Sequence, residues 1–165
     1  MERIRETIVG WIGDFMARIS KPEYFMEIAE VVAKRATCIR RSVGAVIVKD
    51  NYIVSTGYNG PPSGFPHCTP ESCYRSKKKI PSGKLPHLCF AVHAEVNCLI
   101  QAAIHGTSIK GGFDIYCTTF PCTDCLKKLI NAGVKNIYHL DEYNQDDEFR
   151  QKLIELSGVK ITKMN

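Results

Sequence analysis

From about residue 90 onward the chain alternates helical and extended apolar patterns, and this alternation restricts its fold more than any other feature. Helices are predicted over 93–105, 122–132 (stopped by Gly133) and near 146–156, with strands over 113–118, 134–140 and 159–162. Strands joined through helices need crossover connections, which favour parallel pairing and place helices on the sheet. Upstream, VGAVIV and YIVSTGYN are short β-branched runs joined by Lys49-Asp50-Asn51, the pattern of an antiparallel hairpin. A helix beginning after Pro22 runs through Phe25, Ile28, Val31 and Val32 and should end near Thr37. The expected architecture is α/β, a mixed sheet covered by helices on both faces.

An N-terminal helix over about 2–19 is predicted from Ile4, Ile8, Trp11, Ile12, Phe15 and Ile19 at helical spacing. Its opposite face mixes both charge signs, which suits core or subunit packing better than a membrane surface. The 165 residues are expected to form a single domain, with a Cys- and His-rich insertion over about 60–90. Such a long polar loop inside a compact domain needs something to order it. No apolar run approaches the roughly 20 residues of a membrane-spanning helix, and no secretion signal is evident, so a cytoplasmic setting and no membrane partner are expected. In a reducing compartment, eight cysteines point to metal binding or catalysis rather than disulfides. The net charge of +5 fits an anionic substrate or partner. Its one dense patch, Arg75 with Lys77, Lys78 and Lys79, reads as a solvated surface rather than a nucleic-acid site.

Two motifs carry chemistry, His93-Ala94-Glu95 and Pro121-Cys122-Thr123-Asp124-Cys125, each at a predicted helix start. An imidazole and two thiolates make three zinc ligands, and a tetrahedral ion held by three protein ligands keeps its fourth position for water. Helix N-termini carry partial positive charge and lower a thiol's pKa, so the thiolates form readily there. Glu95 is too close to His93 along the chain to join the same tetrahedron comfortably, yet well placed to shuttle a proton from a water on the ion. Two thiolates already neutralise Zn²⁺, so a carboxylate is needed to take that proton. Two other readings leave residues unused. One is a closed zinc knuckle with a further Cys in the fourth position, and the other is a redox Cys122–Cys125 pair.

His-x-Glu with Pro-Cys-x-x-Cys is the signature of zinc nucleobase deaminases. Four further stretches narrow the likeness: Arg35-Ala36-Thr37-Cys38-Ile39-Arg40, Val43-Gly44-Ala45-Val46-Ile47-Val48, Gly57-Tyr58-Asn59-Gly60-Pro61-Pro62-Ser63-Gly64 and His93-Ala94-Glu95-Val96-Asn97. In this order the chain resembles, over roughly residues 22–145, the deoxycytidylate (dCMP) deaminases of the cytidine deaminase-like superfamily. The resemblance implies a three-layer α-β-α sandwich around a five-stranded mixed sheet. It also implies zinc-dependent hydrolysis of dCMP to dUMP and ammonia, which feeds thymidylate synthesis in pyrimidine metabolism. By the same resemblance His93, Cys122 and Cys125 hold the catalytic zinc and Glu95 shuttles protons. Asn59 would bond the sugar or base, and Asn97 would fix the substrate end of the zinc helix. Arg40, with Arg41 as fallback, is the candidate for the phosphate, since a buried dianion calls for a fork of donors. Tyr143 could cover the base. On their own these residues read more plainly: Asn59 as a turn residue, Arg40 as a surface ion pair, Asn97 as a core amide, Tyr143 as a packing aromatic.

Some members of the family possess a second, closed zinc site. Here Cys38, Cys68, Cys73 and Cys89 would supply it, with His87 or His67 substituting for one sulfur; free thiols packed in the loop are the alternative. Cys98 and Cys117 fall in apolar patterns and read as buried small hydrophobes, and His105 and His139 as ordinary residues. Family members are commonly hexamers responsive to dCTP and dTTP through the Gly-Tyr-Asn-Gly region, so a homo-oligomer and nucleotide effectors, with Mg²⁺ accompanying an effector, are expected by resemblance. The rival functions are a tRNA or other polynucleotide deaminase, deamination of free cytidine or guanine, and a noncatalytic zinc-stabilised module binding nucleic acid through residues 75–79.

Overall fold

The computed structural model describes residues 18–142 and 148–165. The predicted helix over about 2–19, apart from its last two positions, and Tyr143 lie outside the described residues. The first helix, α1 (Lys21–Ala33), begins with a reciprocal cap. The Glu23 amide donates to Ser20 Oγ at 3.4 Å, and the Ser20 amide donates to Glu23 Oε2 at 2.8 Å. It ends four residues before Thr37, the predicted stop, because the Thr37 amide donates instead to the Asn59 carbonyl at 3.1 Å. A contact across more than twenty residues thus overrides local helix propensity.

The hairpin β1 (Gly44–Lys49) and β2 (Tyr52–Tyr58) turns through Asp50 and Asn51, with φ of 51° and 65°, the left-handed pair that a two-residue turn requires. An insertion follows, containing the single-turn α2 (Tyr74–Lys77) and a 3₁₀ turn at Pro86–Leu88. Its ends are tied by a bridge in which the Val92 amide donates to the Gly60 carbonyl at 2.8 Å and the Gly60 amide to the Val92 carbonyl at 3.2 Å. Then come α3 (Ala94–Ile104), β3 (Phe113–Thr119), α4 (Thr123–Ala132), β4 (Val134–Asp141), α5 (Glu148–Ser157) and β5 (Lys160–Lys163). Gly133 stops α4 at φ 92°, as its position in the sequence predicts.

The strands form one mixed sheet in the order β2-β1-β3-β4-β5. β1 is antiparallel to both β2 and β3, while β3–β4 and β4–β5 are parallel through helical crossovers. Alternate residues of β1 face opposite layers. Ala45 and Ile47 pack with Cys98 of α3 and Leu126 and Leu129 of α4, whereas Val46 and Val48 pack with Phe25, Met26 and Ala29 of α1. The result is the expected three-layer α-β-α sandwich. Cys98 and Cys117 are core residues, as expected, both fully buried. Among the described residues no helix is long and apolar enough to cross a membrane.

One expectation fails in the insertion. Arg75, assigned to a solvated basic run, is buried, while Lys77, Lys78 and Lys79 beside it are exposed. Its guanidinium is drawn inward by loop carbonyls, which satisfy part of a group that burial would otherwise penalise.

α3 lies against the hairpin without side chains between them at Gly57. A Cβ there would sit 2.4 Å from the Ala94 carbonyl oxygen and 2.6 Å from the Cys98 amide nitrogen. Ser55 Oγ donates to the Cys98 carbonyl at 2.9 Å and Asn97 Nδ2 to the Tyr58 carbonyl at 2.7 Å, which fixes the helix lengthwise. Gly57→Ala therefore has to push α3 off β2. We expect a loss of about 1–3 kcal/mol in urea unfolding, the usual range for overpacking; wild-type stability would show that helix and strand are not in backbone contact.

Candidate active site

Because β1 runs antiparallel to β2 and β3, the start of β1 and the ends of β2 and β3 meet at one margin of the sheet. Both metal-type motifs start their helices at this margin. His93 is the N-cap of α3 and Cys122 that of α4, positions usually given to Ser, Thr, Asp or Asn. Cys125 lies in the first turn of α4 and Glu95 in that of α3. Two helix N-termini thus aim their partial positive charge at the sulfurs and the carboxylate.

His93 Nδ1 lies 3.4 Å from Cys122 Sγ and 3.3 Å from Cys125 Sγ. The three ligand atoms fall within 4.8 Å of one another, and no other His, Cys, Asp or Glu group among the described residues converges in this way. A tetrahedral zinc with Zn–N of ~2.0 Å and Zn–S of ~2.3 Å spaces its N and S ligands about 3.5 Å apart. The donor set and its spacing fit that ion.

The electrostatics agree. Cys122 is lowered to about 4, chiefly because the Cys125 thiol donates to it, with His93 assisting against the opposing effect of burial. Cys125 is pushed up for the matching reason, as donor to a neighbouring thiolate, and by burial. The pair therefore shares one proton, which binding of a dication would release. His93 is raised by its contact with Cys122 and by the charge of Glu95, with burial acting the other way. Glu95 is 4% exposed, and burial pushes its carboxyl up to about 7 against the pull of His93. A carboxyl poised near neutrality can both take and return a proton.

His93, Glu95 and Cys122 open on one pocket, whose wall includes Asn59, Arg40 and Arg41. Asn59 is buried and partly occupied, its Oδ1 accepting from the Val43 amide and its Nδ2 donating to the Arg41 carbonyl, both at 2.8 Å. A side-chain amide has two N–H donors and two oxygen lone pairs, so one of each remains for a ligand. Arg40 donates to the Ile80 carbonyl at 2.7 Å, a loop contact where a surface ion pair was the plain alternative. Asn97, expected among the substrate contacts, lines a different cavity with Thr37, Gly60, His67 and His105, because its position on α3 turns it toward β2.

The expected second metal set is only loosely assembled. Among the described residues the sulfurs of Cys38, Cys68, Cys73 and Cys89 do not converge as the first set does. Three of them nevertheless lie near the fourth: the Cys68 thiol is raised by burial and then by the charges of Cys38, Cys73 and Cys89. His67 and His87 are exposed. His139 proves to be buried, and Phe120 packs edge-on against it with ring centroids 4.8 Å apart.

Among the pocket residues that escape sequence reasoning, two stand out for their chemistry. Phe120 immediately precedes the Pro-Cys-x-x-Cys motif, and Arg75 lies in the insertion. The one available signal for Arg75 was its place two residues beyond Cys73, an expected metal ligand whose ordering would also order its neighbours.

Comparison with known proteins agrees with this geometry. Residues 19–140 match the family model described as the cytidine and deoxycytidylate deaminase zinc-binding region. The chain is 36% identical to ComE operon protein 2 of Bacillus subtilis over 90% of its own length and 74% of that protein. It is 35% identical to the deoxycytidylate deaminase of Schizosaccharomyces pombe over 87% of its length, spanning 44% of that longer enzyme. The dCMP deaminase of cyanophage S-TIM5, solved in complex with dCMP and dUMP, superposes with a TM-score of 0.71 at 34% identity, covering 90% of this chain and 99% of that one. The chain belongs to the cytidine and deoxycytidylate deaminase family.

Proposed function

We propose that this protein hydrolyses dCMP to dUMP and ammonia with one zinc ion held by His93, Cys122 and Cys125. The observation that carries the reading is the convergence of these three ligand atoms at the edge of a pocket that His93, Cys122 and the buried Glu95 line. The choice of dCMP within the family rests on relatives that carry that activity in their names. When bound, zinc supplies a Lewis acid that lowers the pKa of water.

The residues of the chain do the rest. Glu95 accepts a proton from the attacking water and passes it to N3 of the cytosine ring, then moves the proton of the new C4 hydroxyl to the departing amine. The C4–O bond forms, the C4–N bond to the exocyclic amine breaks, and ammonia leaves. His93, Cys122 and Cys125 would hold the ion, and the low exposure of Glu95 keeps bulk water from competing for the proton. Asn59 holds sugar or base with its remaining donor and acceptor, Arg40 with Arg41 faces the phosphate, and Tyr143 covers the base. Asn97 acts at one remove, tying the zinc helix to β2. The product serves thymidylate synthesis, and the enzyme works in the cytoplasm.

A second, structural zinc is held by Cys38, Cys68, Cys73 and Cys89, a reading supported by the nearness of the other three to Cys68. The protein assembles as a homo-oligomer, a hexamer by family habit; exposed Tyr52, Ile53, Ile100 and Ile104 on β2 and α3 support subunit packing. dCTP, with Mg²⁺, and dTTP act as effectors at the cavity bordered by Gly57, Tyr58 and Gly60. Light scattering and ammonia assays with and without these nucleotides test both statements; a monomer indifferent to them contradicts both.

Glu95→Gln should lower kcat for dCMP by about 10²–10⁴-fold, the usual worth of general acid–base catalysis, while zinc content stays unchanged. Full activity in that variant would remove Glu95 from the chemistry. Metal counting should give two zinc ions per chain, falling to one in Cys125→Ala and to one in Cys68→Ser; a single zinc in the unmodified protein refutes the second site.

A further inference from the structure

The insertion contributes a wall to the active-site pocket, and what it presents there is a second arginine. Arg75 is 8% exposed, yet lines the same pocket as His93 and Glu95. Its Nη2 donates to the carbonyls of Pro81 at 3.0 Å and Lys84 at 2.5 Å, while its own carbonyl accepts from the Ile80 amide at 2.9 Å. Arg40 reaches the same loop from the other side, its Nη2 donating to the Ile80 carbonyl. Both guanidinium groups are therefore anchored by one nitrogen each on the loop over residues 80–84. Each also keeps one buried nitrogen with no hydrogen-bond partner, Arg40 Nη1 and Arg75 Nε.

A buried cationic N–H without an acceptor is among the costlier features of a protein interior. Arg40 and Arg75, from segments 35 residues apart in sequence, both line one pocket, and two cations there with unsatisfied donors suit an anion with several oxygens. Among the described residues no carboxylate serves, since neither nitrogen has a partner there. We propose that Arg40 and Arg75 form a two-armed clamp for the phosphate monoester of the substrate, and that Arg75, supplied by the insertion, is a specificity-determining residue for nucleotide over nucleoside. The inference rests on the dCMP reading for the identity of the ligand and adds the residue that selects it. It also gives the insertion a direct part in substrate choice, because the loop carbonyls hold both guanidinium groups in place.

The test uses binding rather than turnover. Calorimetry on the zinc-loaded protein compares dUMP, deoxyuridine and inorganic phosphate. The unmodified protein should prefer dUMP to deoxyuridine, and Arg75→Gln should reduce that preference by about ten- to a hundredfold, the worth of a hydrogen bond to a charged group. Deoxyuridine affinity and zinc content should hold. Arg75→Lys, which keeps the charge but not the fork, should recover part of the preference. An Arg75→Gln protein that keeps the preference, or loses dUMP and deoxyuridine affinity equally, overturns the proposal. If that variant fails to fold, competition on the unmodified protein decides: phosphate that displaces dUMP but not deoxyuridine supports the clamp, and phosphate that displaces neither refutes it. A protein that discriminates through Arg75 yet never deaminates dCMP keeps the clamp and loses the dCMP reading. Turnover of dCMP with discrimination indifferent to Arg75 does the reverse.

Discussion

The placement of Glu95 governs the rest of the site. A carboxylate with almost no access to water sits beside a thiolate, and two negative groups buried together are costly unless positive charge is brought to them. The fold supplies that charge in layers. Two helix N-termini point at the site, His93 stands between the sulfurs, and the donor set of one imidazole and two thiols matches a zinc ion. Without such compensation the site would keep its protons, as the raised Glu95 and Cys125 indicate. With it, the same residues suit the proposed metal centre flanked by a proton carrier.

This arrangement demands that α3 and α4 be positioned to within about 0.5 Å, and the scaffold is built accordingly. The glycine of β2 lets the α3 backbone approach directly, and Ser55, Asn97 and Cys98 bond across that contact. Cys98 Sγ donates to the Ala45 carbonyl at 3.2 Å, so even a core thiol helps fix the helix that begins at His93. The parallel β3–β4 crossover sets α4 in the same way, with Gly133 ending the helix so that β4 can return. Asn59 joins the end of β2 to the segment leading into β1 and closes the pocket wall from the hairpin side.

Most of this was legible in the sequence because it depends on local pattern. Helix starts at His93 and Cys122, the hairpin at residues 50–51 and the parallel crossovers all follow from periodicity, turn chemistry and ligand spacing. What was not legible depends on contacts across long loops. Beyond the tightened turns that end α1, the Thr37 amide is taken by the distant Asn59 carbonyl. Arg75 reads as one member of a basic run until the loop over residues 80–84 folds back and captures it. Asn97 lies two residues beyond Glu95, yet helical geometry turns it to the neighbouring cavity, a rotation of roughly 200° at 3.6 residues per turn. The loop cysteines announce a cluster by number alone, and their sulfurs gather without converging.

The central claim is that a single metal ion is held at the meeting of α3 and α4 with one corner open toward Glu95. Anomalous diffraction at the zinc edge from crystals of the zinc-loaded protein tests it most directly. The account predicts a peak bonded to His93 Nδ1, Cys122 Sγ and Cys125 Sγ, with its fourth ligand a solvent oxygen within hydrogen-bond reach of the Glu95 carboxylate. A peak whose fourth ligand is a protein side chain, or no peak at that position, would contradict it.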